Sequence, residues 1–599
     1  MHHGFIRIAT AIPELRVADC TFNAAKIADL LRQAEEEKVQ VACFPELCIT
    51  GYTCADLFFQ EKLLADALKA LDNLALHTAS MGAAVIVGLP LRVGSSLFNV
   101  AAVLQGGRIL GFVPKVNLPN RNEFYEKRWF ASGASCYGKE LERNGRAIPF
   151  GRDLLFSGGE FTFGVEICED LWVAVPPSSQ LALNGAEIIF NLSASNEVVG
   201  KHRYRRQLVA QQSARCYAAY AYAGAGAGES TTDVVFTGNG IIAENGKIIA
   251  SAERFSFEPQ LTVAEVDVER LRADRMRDAS FKPEKSPFAY RVIPVKATSS
   301  EPFTLKRAID KHPFVPPPEM RDESCHEIFS IQVGGLSKRW LHTQARHLLL
   351  GVSGGLDSTL ALLVCAKTCD KLGFDRRRIL GVTMPGFGTT DRTYANAVNL
   401  MKSLGVTPYD IPIREASLQH FRDIAHSAEV KDITYENTQA RERTQILMDM
   451  ANKHSGLVVG TGDLSELALG WATYGGDHLS MYAVNSGVPK TLVRYMVAWA
   501  AQQLDKATAE ILQDVLHTPV SPELLPASAE GTIAQKTEDI VGPYELHDFF
   551  LYYFVRFGFS PEKIAFLAAS AFKDAYTGDE IAAWLKVFLR RFFAQQFKR

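Results

Sequence analysis

What the sequence lacks is what would mark a membrane, secreted or nucleic-acid-binding protein. None of its apolar runs is long enough to span a bilayer. Its ten cysteines contain no C-x-x-C pair, and ten thiols over 599 residues are too few for a disulfide scaffold. Cys365 and Cys369 lie one helical turn apart, but with no further Cys or His nearby they read as core rather than metal ligands. A net charge of −3 argues against a nucleic acid partner. Arg376-Arg377-Arg378 reads as the solvated last turn of a helix. The stretch Met1–Arg7 lacks the basic start, apolar core and small-residue cleavage site of a secretion signal, so a cytoplasmic location is expected, with no membrane partner. No internal repeat and no low-complexity tail occur. What remains is ordinary for a globular chain: 47% hydrophobic and 22% charged residues, over a length that calls for two to four domains.

The strongest local signal is Ser353-Gly354-Gly355-Leu356-Asp357-Ser358. An apolar run, Leu348 to Val352, precedes it, and Thr359 to Cys365 follows as the start of a buried helix. Strand, glycine turn and helix present free backbone N–H groups to an anion, and two glycines let phosphate oxygens come close. No Gly-Lys-Ser/Thr follows at the spacing of a Walker loop. The hexapeptide resembles the pyrophosphate loop of ATP-dependent adenylating enzymes, which cut ATP between the α and β phosphates. On that resemblance Ser353, Gly354, Gly355, Asp357 and Ser358 bind ATP, and Asp357 binds Mg²⁺ through carboxylate oxygen.

The first half mixes strand-like and helical stretches: Phe5–Ala9, Val39–Phe44 and Ala83–Leu89 as strands, Asn23–Lys38 as a helix, and a hairpin turning at Gly106-Gly107. An α/β sandwich is expected, with Leu261–Val268 as its last strand. Three reactive residues stand at strand ends: Glu46 in Cys43-Phe44-Pro45-Glu46, Lys115 in Val113-Pro114-Lys115 and Cys168 in Val165-Glu166-Ile167-Cys168-Glu169. Singly they read as a solvated charge or a buried small hydrophobe. Together, in this order, they resemble the Glu-Lys-Cys triad of the nitrilase superfamily, which implies an α-β-β-α sandwich. A thiol attacks an amide as its thiolate, so Glu46 would take the proton and Lys115 would stabilise the tetrahedral oxyanion. By the same resemblance Tyr125, Glu169, Ser195 and Lys201 are expected to hold glutamine. Lys201 stands where such glutaminases often carry Arg. Glu123 is a candidate carboxylate beside Lys115.

Eight prolines between Asp278 and Glu327 mark a linker, which places domains at 1–277 and 328–599. Beyond it strands and helices alternate: Ile379–Met384, the helix Asn396–Leu404, then Val406–Ile411. This predicts a doubly wound parallel sheet with its site at the carboxyl ends of the strands, where Met384 would meet adenine. Later come Tyr435-Glu436-Asn437 with Arg441 one turn on, Gly460-Thr461-Gly462-Asp463-Leu464-Ser465-Glu466, and Pro489-Lys490-Thr491. With these, nearly the whole chain resembles the glutamine-dependent NAD⁺ synthetases, a nitrilase-like glutaminase fused to an adenine nucleotide α hydrolase-like synthetase. The resemblance implies ATP, deamido-NAD⁺ and glutamine as substrates. Thr461 is expected at ATP, and Asn437, Arg441, Asp463, Glu466 and Lys490 at deamido-NAD⁺. Mg²⁺ is expected on Asp357 and Glu466, Pro519–Glu538 as a lid, and a homo-oligomer with an ammonia tunnel between the sites. Two other readings stay open on the residues alone: another pyrophosphate-loop ligase, or a nucleotide sensor with a decayed amidase. The nitrilase-type front half and both intact sets of reactive residues count against them.

Overall fold

The computed structural model describes residues 3–282, 288–296, 304–519, 524–525 and 537–599. The chain forms two compact units, Met1–Arg307 and Ala308–Arg599.

In the first unit an eight-stranded and a seven-stranded sheet lie face to face. Phe5–Ile12 is buried along its whole length, as a central strand covered on both faces must be. It pairs with Gln260–Asp267 antiparallel and with Val41–Cys43 parallel. Ala84–Val93, Ser96–Gln105 and Arg108–Pro114 continue the sheet as an antiparallel meander. In the second sheet Thr162–Ile167, Ile188–Ser193 and Ala219–Gly224 run parallel side by side. The facing sides fill one core, with Ile6, Ile8, Val41 and Ile86 opposite Val165, Ile167, Phe190 and Leu192. Outside the first sheet lies the helix Cys20–Glu36, started by Asp19, whose carboxylate accepts from Phe22 N at 3.0 Å. It packs beside Glu61–His77 in the outer core. Pro177–Leu183 and Lys201–Arg215 cover the second sheet. The layers are α-β-β-α, as expected.

Gln260–Asp267 is not the last strand of this unit. Arg291–Pro294, inside the proline-rich stretch, adds a parallel edge strand to Leu154–Ser157. Proline lacks the N–H a ladder needs, so Pro294 is tolerated at an edge. At the far end of the same stretch Arg321 already begins a helix that runs to Thr343.

Among the described residues the second unit carries five strands in the order Thr407–Asp410, Ile379–Thr383, His347–Gly351, Gly456–Gly460, Tyr482–Ala483, all pairs parallel. Leu356–Leu372 and Lys490–Ala501 share a core on one face, and Ile433–His454 covers the other. This is the doubly wound arrangement. The order reverses beside His347–Gly351, so a crevice opens beyond its carboxyl end, where the Ser353–Ser358 loop sits. Aromatic helices Tyr544–Phe557, Pro561–Ala571 and Gly578–Ala594 complete the unit. Among the described residues no helix is long and apolar enough to cross a membrane.

Candidate functional site

The first unit brings Glu46, Lys115 and Cys168 together from three strand ends. Glu46 follows Val41–Cys43 in a loop that presses against Gly88. A Cβ there would lie 2.3 Å from Leu47 N, so only glycine lets this loop pass. Lys115 follows Arg108–Pro114, and its backbone N donates to Asn99 O at 2.9 Å. Its Nζ donates to Glu46 Oε1 at 2.6 Å and to Glu126 Oε1 at 2.7 Å, fully buried. Burial alone would lower the Lys115 pKa. Glu126 and Glu46 outweigh it and hold the ammonium charged, well above its usual range. Glu46 also accepts from Asn99 Nδ2 at 2.7 Å and from Ala194 N at 2.8 Å.

Cys168 ends Thr162–Ile167 at φ +46°, a left-handed conformation rare for a residue with a side chain. Burial pushes its thiol up and Glu46 adds to the rise, with Lys115 only partly offsetting both. Burial and the Glu46 charge thus favour the thiol over the thiolate.

Glu126 is the carboxylate beside Lys115, and Glu123 is not. The backbone turns at Glu126–Arg128 and buries the Glu126 side chain, which also accepts from the Tyr52 hydroxyl at 2.8 Å. Glu123 instead accepts from Asn196 Nδ2 at 2.7 Å, and Lys201 Nζ donates to Asn196 Oδ1 at 2.6 Å. Burial pushes Glu126 up to about 7, against the pull of Lys115. Its Oε2 is buried without a hydrogen-bond partner.

Around this centre Lys201 lies over the rings of Phe124 (5.6 Å) and Trp172 (5.7 Å). Ser195 is buried just before Asn196. Glu169 pairs with Arg121 at 3.1 Å, and Tyr125 is half exposed with its ring 5.1 Å from that of Trp129. Carboxylate, ammonium, amide and aromatic groups thus border the thiol, a set suited to a polar, zwitterionic amide. Sequence reasoning gives no role to Glu126, Tyr52 or Asn99, although Glu126 stands next to Tyr125.

In the second unit the loop closes on itself. Ser358 Oγ donates to Gly355 O at 3.1 Å, and Ser353 Oγ lies 3.1 Å from Ser358 Oγ. Gly354 has φ +83°, and a Cβ there would sit 2.1 Å from Thr393 O. A cavity of about 280 Å³ opens beside the loop, lined among others by Ser353, Gly355, Asp357, Ser358, Met384, Thr461 and Glu466. Arg443 also lines it, donating from Nε to Met384 O at 3.2 Å. Asn437 and Arg441 do not. Asn437 Oδ1 accepts from Thr473 Oγ1 at 2.8 Å, and Arg441 donates to Tyr474 O at 3.1 Å. Both meet the 473–474 turn, whereas Arg443, two positions on, meets Met384 at a strand end. Of the expected lid, Pro519, Leu524 and Thr537 line the cavity, while 520–523 and 526–536 lie outside the described residues.

Asp357, Asp463 and Glu466 offer carboxylate oxygens within 4.8 Å of one another. Lys490 Nζ sits among them, at 2.6, 2.8 and 2.9 Å. The 2.8 Å approach to Asp463 Oδ2 is an ion pair without hydrogen-bond alignment. Asp357 Oδ1 is buried and unpartnered. Burial pushes Asp463 and Glu466 up, with Lys490 pulling the other way. Fully ionised, three carboxylates and one ammonium leave two negative charges. An all-oxygen donor set with that deficit and a free buried oxygen fits a hard divalent cation.

Two family models match the chain: carbon-nitrogen hydrolase over residues 7–276 and NAD synthase over residues 330–570. The glutamine-dependent NAD(+) synthetase of Mycobacterium leprae is 41% identical over 100% of this chain and 92% of its own length. That of Thermotoga maritima is 29% identical over 94% of this chain and 90% of its own. A solved glutamine-dependent NAD(+) synthetase from Cytophaga hutchinsonii covers 99% of this chain and 93% of itself at 24% identity, with a TM-score of 0.40, too low to argue from. The full-length relationship at 41% identity decides the matter: the chain belongs to the glutamine-dependent NAD(+) synthetase family.

Proposed function

We propose that the chain amidates deamido-NAD⁺ to NAD⁺ with ammonia from glutamine, consuming ATP and releasing AMP and pyrophosphate. The observation that carries this reading is the meeting of Glu46, Lys115 and Cys168 in one unit of a chain whose other unit holds the Ser353–Ser358 loop.

Residues 1–277, with the edge strand Arg291–Pro294 added, form the glutaminase, 328–599, with the helix start at Arg321, the synthetase, and the rest of 278–327 the connection. Cys168 Sγ attacks the glutamine amide carbon as Glu46 removes its proton. Lys115 stabilises the oxyanion, and ammonia leaves with that proton. Glu46 then activates water to hydrolyse the thioester to glutamate. Lys201, Glu169, Tyr125 and Ser195 hold the amino acid end of glutamine. Lys201 supplies a single positive charge where an Arg would give a bidentate fork.

In the synthetase the backbone of Ser353, Gly354 and Gly355, with Ser358, receives the phosphates. Met384 and Thr461 flank the nucleotide. Asp357 and Glu466, with Asp463 behind them, would hold Mg²⁺. Bound there, the ion would offset the charge of the departing pyrophosphate. Lys490 carries its ammonium to the developing charge at the adenylated carboxylate. Asn437, Arg441 and Asp463 contact the dinucleotide. Ammonia in neutral water is mostly ammonium, which is not a nucleophile, so an enclosed passage between the sites belongs to this reading. So do a homo-oligomer and a cytoplasmic location.

The test is the path of oxygen. Oxygen-18 in the nicotinate carboxylate should appear in AMP, because that carboxylate attacks the α phosphate. Formation of ADP, with label in inorganic phosphate, would overturn the chemistry.

A further inference from the structure

Behind Cys168 runs a line of buried polar groups that the proposed chemistry does not use. Three parallel strands each contribute one: Glu166 from Thr162–Ile167, Asn191 from Ile188–Ser193 and Tyr220 from Ala219–Gly224. Asn191 stands opposite Glu166 in the ladder, and Tyr220 opposite Ile189, two residues from Asn191 on the same face. All three side chains are essentially inaccessible to solvent. Burying an amide, a phenol and a carboxyl together is unfavourable unless every group is hydrogen-bonded.

They are bonded in one direction only. The backbone N–H of Cys168 can only donate, and it donates to Asn191 Oδ1 at 3.2 Å. Ser193 Oγ donates to the same oxygen at 2.8 Å. The Asn191 amide must then turn Nδ2 to the Tyr220 hydroxyl oxygen, 3.0 Å away. That oxygen accepts, so the Tyr220 proton goes to Glu166 Oε1. Ser178 N donates to the other oxygen of Glu166 at 2.7 Å, completing its acceptor role. The sequence of donors is set from both ends, and rotating any member breaks at least two bonds.

The end of this line is the nucleophile's own backbone, at φ +46°. A side-chain-bearing residue stays in that region only where its surroundings over-determine it. We propose that Asn191, Tyr220 and Glu166 form a positioning relay that holds the Cys168 backbone in its left-handed turn and so aims Sγ at the glutamine carbonyl. None of the three touches substrate. Tyr220 is the central member, because its one hydroxyl fixes the orientation of the Asn191 amide. This inference rests on the reading of Cys168 as the nucleophile for glutamine.

The test uses the full chain with Tyr220→Phe, which removes one oxygen. Misaiming a reacting atom costs between about tenfold and a hundredfold in rate. A loss of that size is expected in glutamine-dependent kcat, with KM for glutamine changed less than about threefold, because the groups that hold the amino acid end remain. Alkylation of Cys168 by iodoacetamide should slow by a similar factor. NAD⁺ synthesis from ammonium should match the wild type. Asn191→Ala, melted and assayed alongside, should show the same split. Wild-type kcat and alkylation in either folded variant overturn the relay. Failure of both variants to fold also overturns it, in favour of a purely structural role. Cys168→Ala separates this inference from its parent. Full glutamine use in that variant removes the nucleophile, whereas a dead Cys168→Ala beside an active Tyr220→Phe removes only the relay.

Discussion

Lys115 is buried between two carboxylates, and its charge decides what each of them can do. Replacing it by Met would leave Glu46 and Glu126 facing each other with no counter-charge. Breaking a buried pair in this way costs about 3–5 kcal/mol, so Lys115→Met should lower the melting temperature as well as abolish glutaminase activity. Glu126→Gln tests the second carboxylate through its pH dependence. A carboxyl held near 7 in the fold binds its proton more tightly folded than unfolded. Its contribution is present below about pH 4.5 and is lost as pH rises through 7. The stability of Glu126→Gln relative to wild type should therefore improve between pH 5 and 8, by on the order of 2 kcal/mol. Denaturant melts at both pH values read this directly, and no gain of the variant over the wild type on going from pH 5 to pH 8 would contradict the assignment. Gly354→Ala tests the other centre. Its Cβ would meet a backbone oxygen that cannot yield, so NAD⁺ synthesis should fall at least about a hundredfold with either ammonia donor while glutamine hydrolysis persists. Glu46, Lys115 and Cys168 stood out in the sequence only as a set, because their order and neighbours resemble the nitrilase triad, whereas each alone reads as a solvated charge or a buried small hydrophobe. Glu126 was not. Two glutamates lie three residues apart in 123–126, and only the turn at Glu126–Arg128 decides which one is buried.

The helices Cys20–Glu36 and Asp391–Ser403 and the central strands could be read from their apolar periods, because their burial is set by neighbours in sequence. Arg291–Pro294 escaped, since an edge strand of four residues inside a proline-rich stretch has no period to show. The helix Lys201–Arg215 escaped for a related reason. Its buried residues include Arg205 and Gln212, so its inward face does not look apolar. The aromatic helices at the end of the chain read equally well as core or as a subunit contact. His547 lies within a core that they form with one another. Its ring lies 6.1 Å from that of Phe588, and Nε2 bonds to Val541 O at 2.6 Å. Burial lowers its pKa to about 4. A base held neutral in the fold contributes stability that is complete above its unfolded value of about 6.5 and is lost as pH falls toward 4. The second unit of the wild type should therefore lose more stability between pH 7 and 4.5 than His547→Gln does, by on the order of 2 kcal/mol. Equal acid sensitivity in the two proteins would show that His547 is not the group protonated.

The two units keep their chemistries in separate residues. Everything assigned to glutamine precedes Arg307, and everything assigned to ATP follows Ala308. Each should therefore be open to removal while the other works. Asp357→Asn should abolish Mg²⁺-dependent AMP formation and leave some glutamine hydrolysis, because the three-carboxylate cluster loses a charge and an unpartnered oxygen. The most direct measurement is NAD⁺ formation by Cys168→Ala with each ammonia donor, beside the wild type. The variant is predicted to make no NAD⁺ from glutamine yet to approach the wild-type rate from high ammonium at raised pH, where more ammonia is free. Near-normal synthesis from glutamine would contradict the role given to Cys168, and loss of both activities in a folded protein would contradict the independence of the two sites.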